Sequence, residues 1–493
     1  MLATSYLYPL GYDNNTYQTM SWQLVEFGKL PYLETWDQNF PAIVYVHALA
    51  ITLFGNSTAG FRTLDILLQL ASILLLYRFT KYYFGQRTAS LAALLFTGMY
   101  VFYGFGSFGQ RDVYAAPLIL ASLFTALRYR ESAAGRYAPL LAGLFLGASI
   151  LFRPTNALCA IPITVLLLTE HRKALNIFYF GVGSLISLLL GLAPYLRSGA
   201  IEQFYLATIR YNLDVYGSSD FRFSTLGALA APIEWLFTLL LIGASYVILR
   251  QRRVSNLAPT VVIVMLLSLI LILKVTIYWM GKYFMYQYAP LFYLGAPLIA
   301  AAMLLAFDRY RIPQWTRIAL ITCILLVFTF RRSPAVVLLE RWTTIEEVVD
   351  KINVRYKTSN WNTYRDIQAI TSYITKTTAP TDKIETCSWD NQIIWRTERE
   401  QSSRFTLIHP IGMQPSAGFT DYQEAWRAEI ASTIEDRIPK LVLLATAPLS
   451  FSGFIKYRPG DVLLRIPGFS QALNRGYAYD TTIACWRVYR RKD

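Results

Sequence analysis

Acidic residues at a few positions in this chain have neighbours that would let a carboxylate do chemistry. Asp13 lies in GYDNNTY, flanked by Tyr12 and Tyr17, with Asn14 and Asn15 beside it. Glu34 and Asp37 stand three residues apart in GKLPYLETWDQNFP, on one face if that stretch is helical. Asp112 follows Arg111 in GFGSFGQRDVYAAP, after Gly104, Gly106 and Gly109, which permit close backbone approach to a ligand. A carboxylate fixed at the edge of a bilayer can take the proton from an incoming hydroxyl. Glu34 or Asp37 would then orient that hydroxyl or hold a divalent cation. Each acid also has a plain structural reading. Asp13 caps a helix or sits in a solvated turn, Asp112 caps a helix beside a snorkelling arginine, and Glu34 and Asp37 belong to a solvated interfacial loop.

Cations are the natural complement. A departing phosphate gains charge as its bond breaks, so a fixed cation stabilises that transition state. Arg62, Arg111, Arg153 in FRPTN, Arg210, Lys274 and Lys282 are available. Arg62 and Asp65 share a helix face and can simply pair. Lys282 lies in the aromatic-rich YWMGKYFMYQYAP, where it also suits an interface anchor. Tyr17, Tyr283, Tyr286 and Gln287 suit a groove for a sugar or a lipid.

The elements that must position these residues are membrane helices. The 493-residue chain is 54% hydrophobic and only 16% charged, and its mean hydropathy is positive. Apolar runs of about 18 residues or more recur, which excludes an ordinary soluble enzyme. The net charge of +15 does not point to nucleic acid, because much of the excess lies in short turns between apolar runs. Expected spans are 61–80, 88–104, 113–128, 137–152, 155–169, 174–195, 227–249, 257–279, 284–306 and 315–331. Basic clusters at Arg78/Lys81/Arg87, Arg128/Arg130/Arg136, Arg172/Lys173, Arg250/Arg252/Arg253 and Arg309/Arg311/Arg317 fall at every second connection. Basic turns belong in the cytoplasm, so the first 60 residues, the alternate connections and the tail after 332 are expected outside. An outward first loop needs a span before it. Met1 to Leu10 is too short, so a first helix is expected to be missing from this sequence, the alternative being that the short loop translocates unaided. The apolar stretch 41–54 is too short to span and reads as a helix lying at the membrane surface.

Three regions follow: an outer loop with interfacial helices (1–60), a transmembrane helical bundle (61–332), and an extracytoplasmic α/β domain (333–493). In the last, helices are expected near 341–356 and 362–377. Strands are expected at Asp382–Trp389, Phe405–His409, Lys440–Ala445 and Thr481–Arg490. Asp421 and Glu424 resemble a helix N-cap and its reciprocal partner, opening a helix to about Arg437. His409 reads as an ordinary strand-end histidine. Cys159 and Cys323 fall in apolar helices, and a Cys387–Cys485 disulfide is allowed by compartment. The tail carries no glycine-rich phosphate fingerprint and no Ser/His/Asp signature. It reads as a cap that helps choose the acceptor.

Taken in order, the residues resemble a known family. Asp13 and Tyr17, FGKLPY, the Trp36–Asp37–Pro41 pattern, LFG at Leu53–Gly55 and Arg62 resemble the first outer loop of glycosyltransferase family 39. These are the GT-C-type protein mannosyltransferases and their bacterial relatives, including the lipid A aminoarabinose transferases. GQRD at Gly109–Asp112 resembles the family's second acidic loop. LAGLFLGASILFRPT and KYFMYQYAPLF resemble recurrent family segments, so the likeness covers residues 8–310, with a looser one in the tail. Two departures stand out. Asn14 occupies the position of a second acidic residue in the eukaryotic mannosyltransferases, and Asn39–Phe40–Pro41 replaces the Lys-Pro-Pro of the aminoarabinose enzymes.

The resemblance implies a mainly α, polytopic GT-C bundle in a prokaryotic plasma membrane. It implies transfer of a sugar from a polyprenyl-phosphate donor to an acceptor hydroxyl on a glycan, lipid or protein, with inversion at the anomeric carbon. Asp13 matches the acid assigned as base or acceptor-orienting group, and Asp112 is the second catalytic acid, positioning the acceptor or a divalent cation with Glu34 or Asp37. Arg62, Arg111, Arg153 and Lys282 would hold the donor phosphate. A lipid-sugar flippase and a non-catalytic donor-lipid-binding protein on the same scaffold are the alternatives. A flippase usually shows internal repeats and midplane polar residues, and neither stands out in this sequence.

Overall fold

The computed structural model describes residues 2–104, 106–132, 137–217, 238, 241–246, 257–330, 364–388, 391–446 and 458–492. Most of the expected span 227–249 and the expected helix 341–356 lie outside them. By compactness the chain divides into two units. One comprises Met1–Ser5, Leu64–Ala193 and Arg222–Val336, and the other Tyr6–Thr63, Pro194–Phe221 and Val337–Asp493. They are called here the bundle unit and the mixed unit.

The bundle unit is built from apolar helices broken by glycine, proline and basic residues. α3 (Thr58–Phe84), which starts in the mixed unit, is followed by α4 (Gln86–Tyr103), α5 (Arg111–Ser132), α6 (Ala138–Phe152), α7 (Ala160–Leu168) and α8 (Lys173–Arg197). Helices Leu257–Met280, Ala289–Arg309 and Gln314–Phe330 follow among the described residues. Every expected span with described residues thus coincides with a helix, 155–169 and 284–306 each opening on a 3₁₀ turn. Thr58–Phe84, Lys173–Arg197, Thr260–Met280 and Met285–Arg309 are long and apolar enough to cross a membrane. Small residues let helices meet without a solvent-driven hydrophobic effect. A Cβ at Gly143 would collide with the carbonyl of Phe180, and one at Gly183 with that of Leu140, so α6 and α8 touch backbone to backbone. Ser184 and Ser187 donate their hydroxyls across this contact to Gly143 O and Leu144 O, at 3.2 and 2.8 Å.

The mixed unit combines two helices from the first 60 residues with the tail. α1 (Tyr12–Phe27) is buried yet polar: Asn14, Asn15, Thr16, Gln18, Thr19, Ser21 and Gln23 are all enclosed. α2 (Ala42–Phe54) is the short apolar helix expected from the sequence. In the tail a five-stranded sheet has the order β2-β1-β3-β5-β4. β1 (Lys383–Thr386) lies parallel to β2 (Glu400–Gln401) and to β3 (Leu441–Ala445). β4 (Tyr477–Ile483) and β5 (Trp486–Arg491) form an antiparallel hairpin, with β5 beside β3. Alternate residues Leu441, Leu443 and Ala445 face one side, where Trp486 and Val488 join Ile384. Ile367, Ile370 and Ile374, spaced three and four apart on helix Tyr364–Thr377, cover that face.

Some local expectations shift. The single strand expected at Thr481–Arg490 is a hairpin, turning at Ala484, whose φ is +51°. Phe405–His409 forms only an isolated bridge through Leu407 before a short helix starts at His409. The tail helix is capped by Thr420 with Gln423, one residue earlier than the Asp421/Glu424 pair, because a hydroxyl and an amide complete the reciprocal box. Cys387 is a buried free thiol that donates to Leu407 O, so it enters no disulfide.

Candidate functional site

Asp13 stands in the first turn of α1, half-buried, where the helix dipole favours an anion. One turn on, Tyr17 is fully enclosed and its hydroxyl accepts from Asn39 Nδ2 at 3.0 Å. The same amide reaches Asp37 Oδ1 at 3.2 Å, and Asn39 N–H donates to Asp37 Oδ2 at 3.3 Å. Tyr32 Oη donates to Asn39 O. Asn39 is therefore the node that ties Asp37 to Tyr17.

The expected Glu34/Asp37 face does not form. Residues 31–35 make a tight turn closed by a Pro31–Thr35 bridge, with Tyr32 at φ +69°, rather than a helix. Glu34 is exposed and accepts the Leu30 amide at 2.8 Å, whereas Asp37 is only 2% exposed. Of the two, Asp37 is placed among the other candidates. No three His, Cys, Asp or Glu side chains converge as a metal cluster among the described residues.

Arg62 is completely buried and donates to Pro9 O at 2.8 Å. Near it lies His47, stacked on Phe61 with ring centroids 3.8 Å apart, and 5.8 Å from the Tyr17 ring. Its tautomer follows from a relay. Trp395 O can only accept, so Asn56 Nδ2 donates to it (2.9 Å) and Asn56 Oδ1 is left to accept from Gln18 Nε2 (2.9 Å). Gln18 Oε1 then faces His47 Nδ1 at 2.8 Å, which must carry the proton. His47 Nε2 is thereby a bare acceptor, with no hydrogen-bond partner among the described residues. Burial, and then the charge of Arg62, hold the imidazole well below its ordinary range, so it stays neutral. Neither His47 nor Asn39 was among the sequence candidates. The available signal was a titratable residue inside the apolar PAIVYVHALAITLF.

The tail holds α1 through polar groups. Trp395 Nε1 donates to Asn15 Oδ1 (3.3 Å), Asn391 Nδ2 to Thr16 Oγ1 (3.0 Å), and Thr19 Oγ1 to Asn391 O (3.0 Å). Farther along, Gln23 Nε2 donates to Arg399 O and its Oε1 accepts the Gln401 amide, both at 3.4 Å. Lys29 closes this seam, donating to Gln401 O at 2.7 Å and pairing with Glu400 at 2.9 Å. Behind Gln401 sits Glu385, fully buried. It accepts from Gln401 Nε2 (2.8 Å), Ser403 N (2.8 Å) and Ser403 Oγ (2.9 Å). Burial pushes its carboxyl up to about 7, even though the Ser403 donors, the charge of Lys29 and the Gln401 amide pull the other way.

In the bundle unit, the second acidic loop closes through left-handed glycines, Gly104 at φ +70° and Gly109 at +67°. These positive φ values are what the turn asks of Gly104 and Gly109, whereas a Cβ added at Gly106 would meet open space. Asp112, 1% exposed at the start of α5, makes a short ion pair with Arg153 and lies 3.6 Å from Arg111 Nε. A second Arg153 nitrogen approaches Met280 Sδ at 3.0 Å. There the backbone leaves the helix, with Gly281 at φ +64° and Tyr283 at +52°. Lys282 is buried, and Tyr286 stacks on Phe284 with centroids 5.6 Å apart. Buried Gln287 keeps an Oε1 without a hydrogen-bond partner among the described residues. The Met285–Tyr288 turn packs against α5. Arg111, Asp112, Arg153 and the 280–288 segment are thus brought together in the bundle unit. Asp13, Tyr17, Asp37 and Arg62 belong to the mixed unit. Arg210 pairs with Asp214 on the surface at 3.1 Å, a helical i,i+4 contact.

Residues 38–196 match the family model of dolichyl-phosphate-mannose-protein mannosyltransferases. That stretch contains Arg62, Arg111, Asp112 and Arg153. Among solved structures, ArnT from Cupriavidus metallidurans bound to undecaprenyl phosphate is similar, with a TM-score of 0.61 at 12% identity. The match covers 99% of this chain and 95% of that one. The same protein in its apo state gives 0.58 at 12% identity, over 98% and 93%. At such identity the likeness is one of fold. Comparison with curated proteins finds no match to this sequence. The GT-C resemblance and the fold class read from the sequence are borne out: a helical membrane bundle with a small C-terminal sheet domain.

Proposed function

We propose that this chain is a membrane glycosyltransferase that moves a sugar from a polyprenyl-phosphate donor to an acceptor hydroxyl. The observation that carries this reading is the family match over 38–196, which encloses the buried Asp112–Arg153 pair and Arg62. A fold shared along nearly the whole chain with a protein crystallised on undecaprenyl phosphate supports it.

The reaction is a single displacement at the anomeric carbon. The acceptor oxygen forms its bond as the sugar–phosphate bond breaks, and the configuration inverts. The acceptor proton passes to a carboxylate, for which we assign Asp13. The bonding pair leaves with the phosphate on its lipid. Arg62, Arg111, Arg153 and Lys282 are the cations assigned to that growing charge. Asp37 is better suited than Glu34 to orient the acceptor, since it is enclosed and tied through Asn39 to Tyr17. Asp112 tunes the charge that Arg153 presents. Tyr283, Tyr286 and Gln287 suit the sugar or the lipid. A divalent cation at Glu34 or Asp37 would need further ligands.

We place the bundle 61–332 in a prokaryotic plasma membrane, with 1–60 and the domain 333–493 outside. Purified protein in nanodiscs, given radiolabelled polyprenyl-phosphate sugars and an envelope extract, is expected to transfer label to extract components. Donor binding without label transfer would leave the non-catalytic reading. Donor movement across sealed vesicles without bond cleavage would favour the flippase.

A further inference from the structure

Asp65 took no part in the assignments above, except as a candidate partner of Arg62. It lies on α3 with its carboxylate wholly buried in the bundle unit. A buried carboxylate is costly unless donors surround it. Here Tyr100 Oη donates to both oxygens, at 3.0 and 2.8 Å, Tyr114 Oη donates at 2.9 Å, and Gln69 Nε2 at 3.3 Å. The two phenols come from different helices and bracket one place in the sequence. Tyr114 is two residues past Asp112 on α5. Tyr100 is on α4, and its oxygen accepts the backbone N–H of Gly109 at 3.0 Å, three residues before Asp112.

Because the Tyr100 proton is directed at Asp65, its lone pairs face the turn. The chain Gly109 N–H to Tyr100 O–H to Asp65 is then polarised in one direction, which strengthens each bond. Gly109 is held at φ +67°, and Phe108 packs on the Tyr100 ring with centroids 5.0 Å apart. Simple filling of this space would need only phenylalanines. What the tyrosines add is a grip on the turn before Asp112 and on the helix after it.

We propose that Asp65 is a positioning residue for Asp112, fixing the Gly109 turn through Tyr100 and the start of α5 through Tyr114. This rests on the reading of Asp112 as part of the reaction machinery. A displacement of about 1 Å at a reacting group can cost on the order of 10²-fold in rate. The test uses full-length Asp65→Asn, Tyr100→Phe and Tyr114→Phe, with Tyr293→Phe as the control. Tyr293 also gives a buried phenol hydrogen bond to α3, to Ser72 O at 2.7 Å, but among the described residues it has no hydrogen bond to residues 106–114. The expected result is a drop of about 10- to 100-fold in kcat for the first three, with KM for the donor within about threefold. Tyr293→Phe should keep kcat at a comparable loss of Tm. Hydrogen exchange should quicken at residues 106–110 in Asp65→Asn and Tyr100→Phe, and not in Tyr293→Phe. Equal loss of kcat in Tyr293→Phe at matched Tm would overturn the proposal, as would unchanged exchange at 106–110 in Tyr100→Phe. If the wild type transfers no sugar, the enzymatic reading fails on its own, and the exchange experiment still decides whether Asp65 anchors the turn.

Discussion

The two acidic loops carry similar residues and hold them by different physics. In the mixed unit, neutral groups reach α1 and Asp37: Asn39 between Asp37 and Tyr17, and Asn391, Trp395 and Gln18 along the helix. In the bundle unit, Asp112 is fixed by charge against Arg153 and Arg111. Neutral hydrogen bonds fix a position by their direction. An ion pair sets the position and offsets the charge together. The first arrangement suits a group that must take up a proton. The second suits a group that modulates the field of a cation beside a phosphate.

The largest expected effect tests the first half of this contrast. Asp13→Asn should lower kcat by about 10²- to 10⁴-fold, the range for loss of a general base. Its unfolding midpoint should move little, because the half-buried carboxylate stands in the first turn of α1, where an anion's interaction with the helix dipole is worth only about 0.3–1 kcal/mol. Transfer assays and thermal melts on the same preparation measure both quantities. A variant that kept its rate and lost stability would reduce Asp13 to a structural partner of the helix start.

Asp112→Asn tests the other half, and here stability should fall. Removing one partner of a buried ion pair costs about 3–5 kcal/mol. Arg153 would be left facing Met280 and an amide. The double variant Asp112→Asn/Arg153→Gln should recover part of that loss and still fail in transfer. In Asp37→Asn the loss of its two hydrogen bonds from Asn39 should cost about 1–2 kcal/mol. Equal destabilisation at the two acids would erase the contrast.

Much of the fold was legible in the sequence, because a span is written as a continuous apolar run and its turns in basic residues. The helices on 61–80, 88–104, 113–128 and 174–195 follow from that signal alone. Asp112 and Arg153 were legible as charges at span ends, though not as a pair, since 41 residues separate them. Asn39 and His47 were hidden for a different reason. An asparagine in a loop and one histidine in an apolar helix acquire meaning only from groups that fold next to them. The relay from Trp395 through Asn56 and Gln18 to His47 joins segments more than 300 residues apart, which no periodicity encodes. The glycines of the second loop were read as making room for a ligand, while Gly104 and Gly109 serve a left-handed turn. The Thr420 cap was displaced by one residue because Thr-x-x-Gln and Asp-x-x-Glu overlap in TDYQE, and only backbone geometry separates them.

A smaller effect sharpens the contrast further. Even the buried carboxylate behind the α1 seam leans toward its neutral form, since burial lifts Glu385 from 4.5 to about 7. The sign is opposite to that of a salt-bridged acid. Between pH 4.5 and about 7 the folded state keeps this proton while the unfolded chain gives it up. Stability from Glu385 is therefore fully present below 4.5, is lost as pH rises through the window, and is flat above it. The whole change is on the order of 3 kcal/mol. In Glu385→Gln this contribution should vanish, so the difference in Tm between variant and wild type should drift in the variant's favour from pH 5 to pH 7.5 and then level off. Buried His47 opposes it with a loss of stability as pH falls below about 6.5, because only the unfolded histidine takes up a proton there. That slope is common to both proteins and cancels in the difference. A difference that stayed constant across the window would mean that Glu385 is ionised in the fold. The α1 seam would then be held by charge, as Asp112 is.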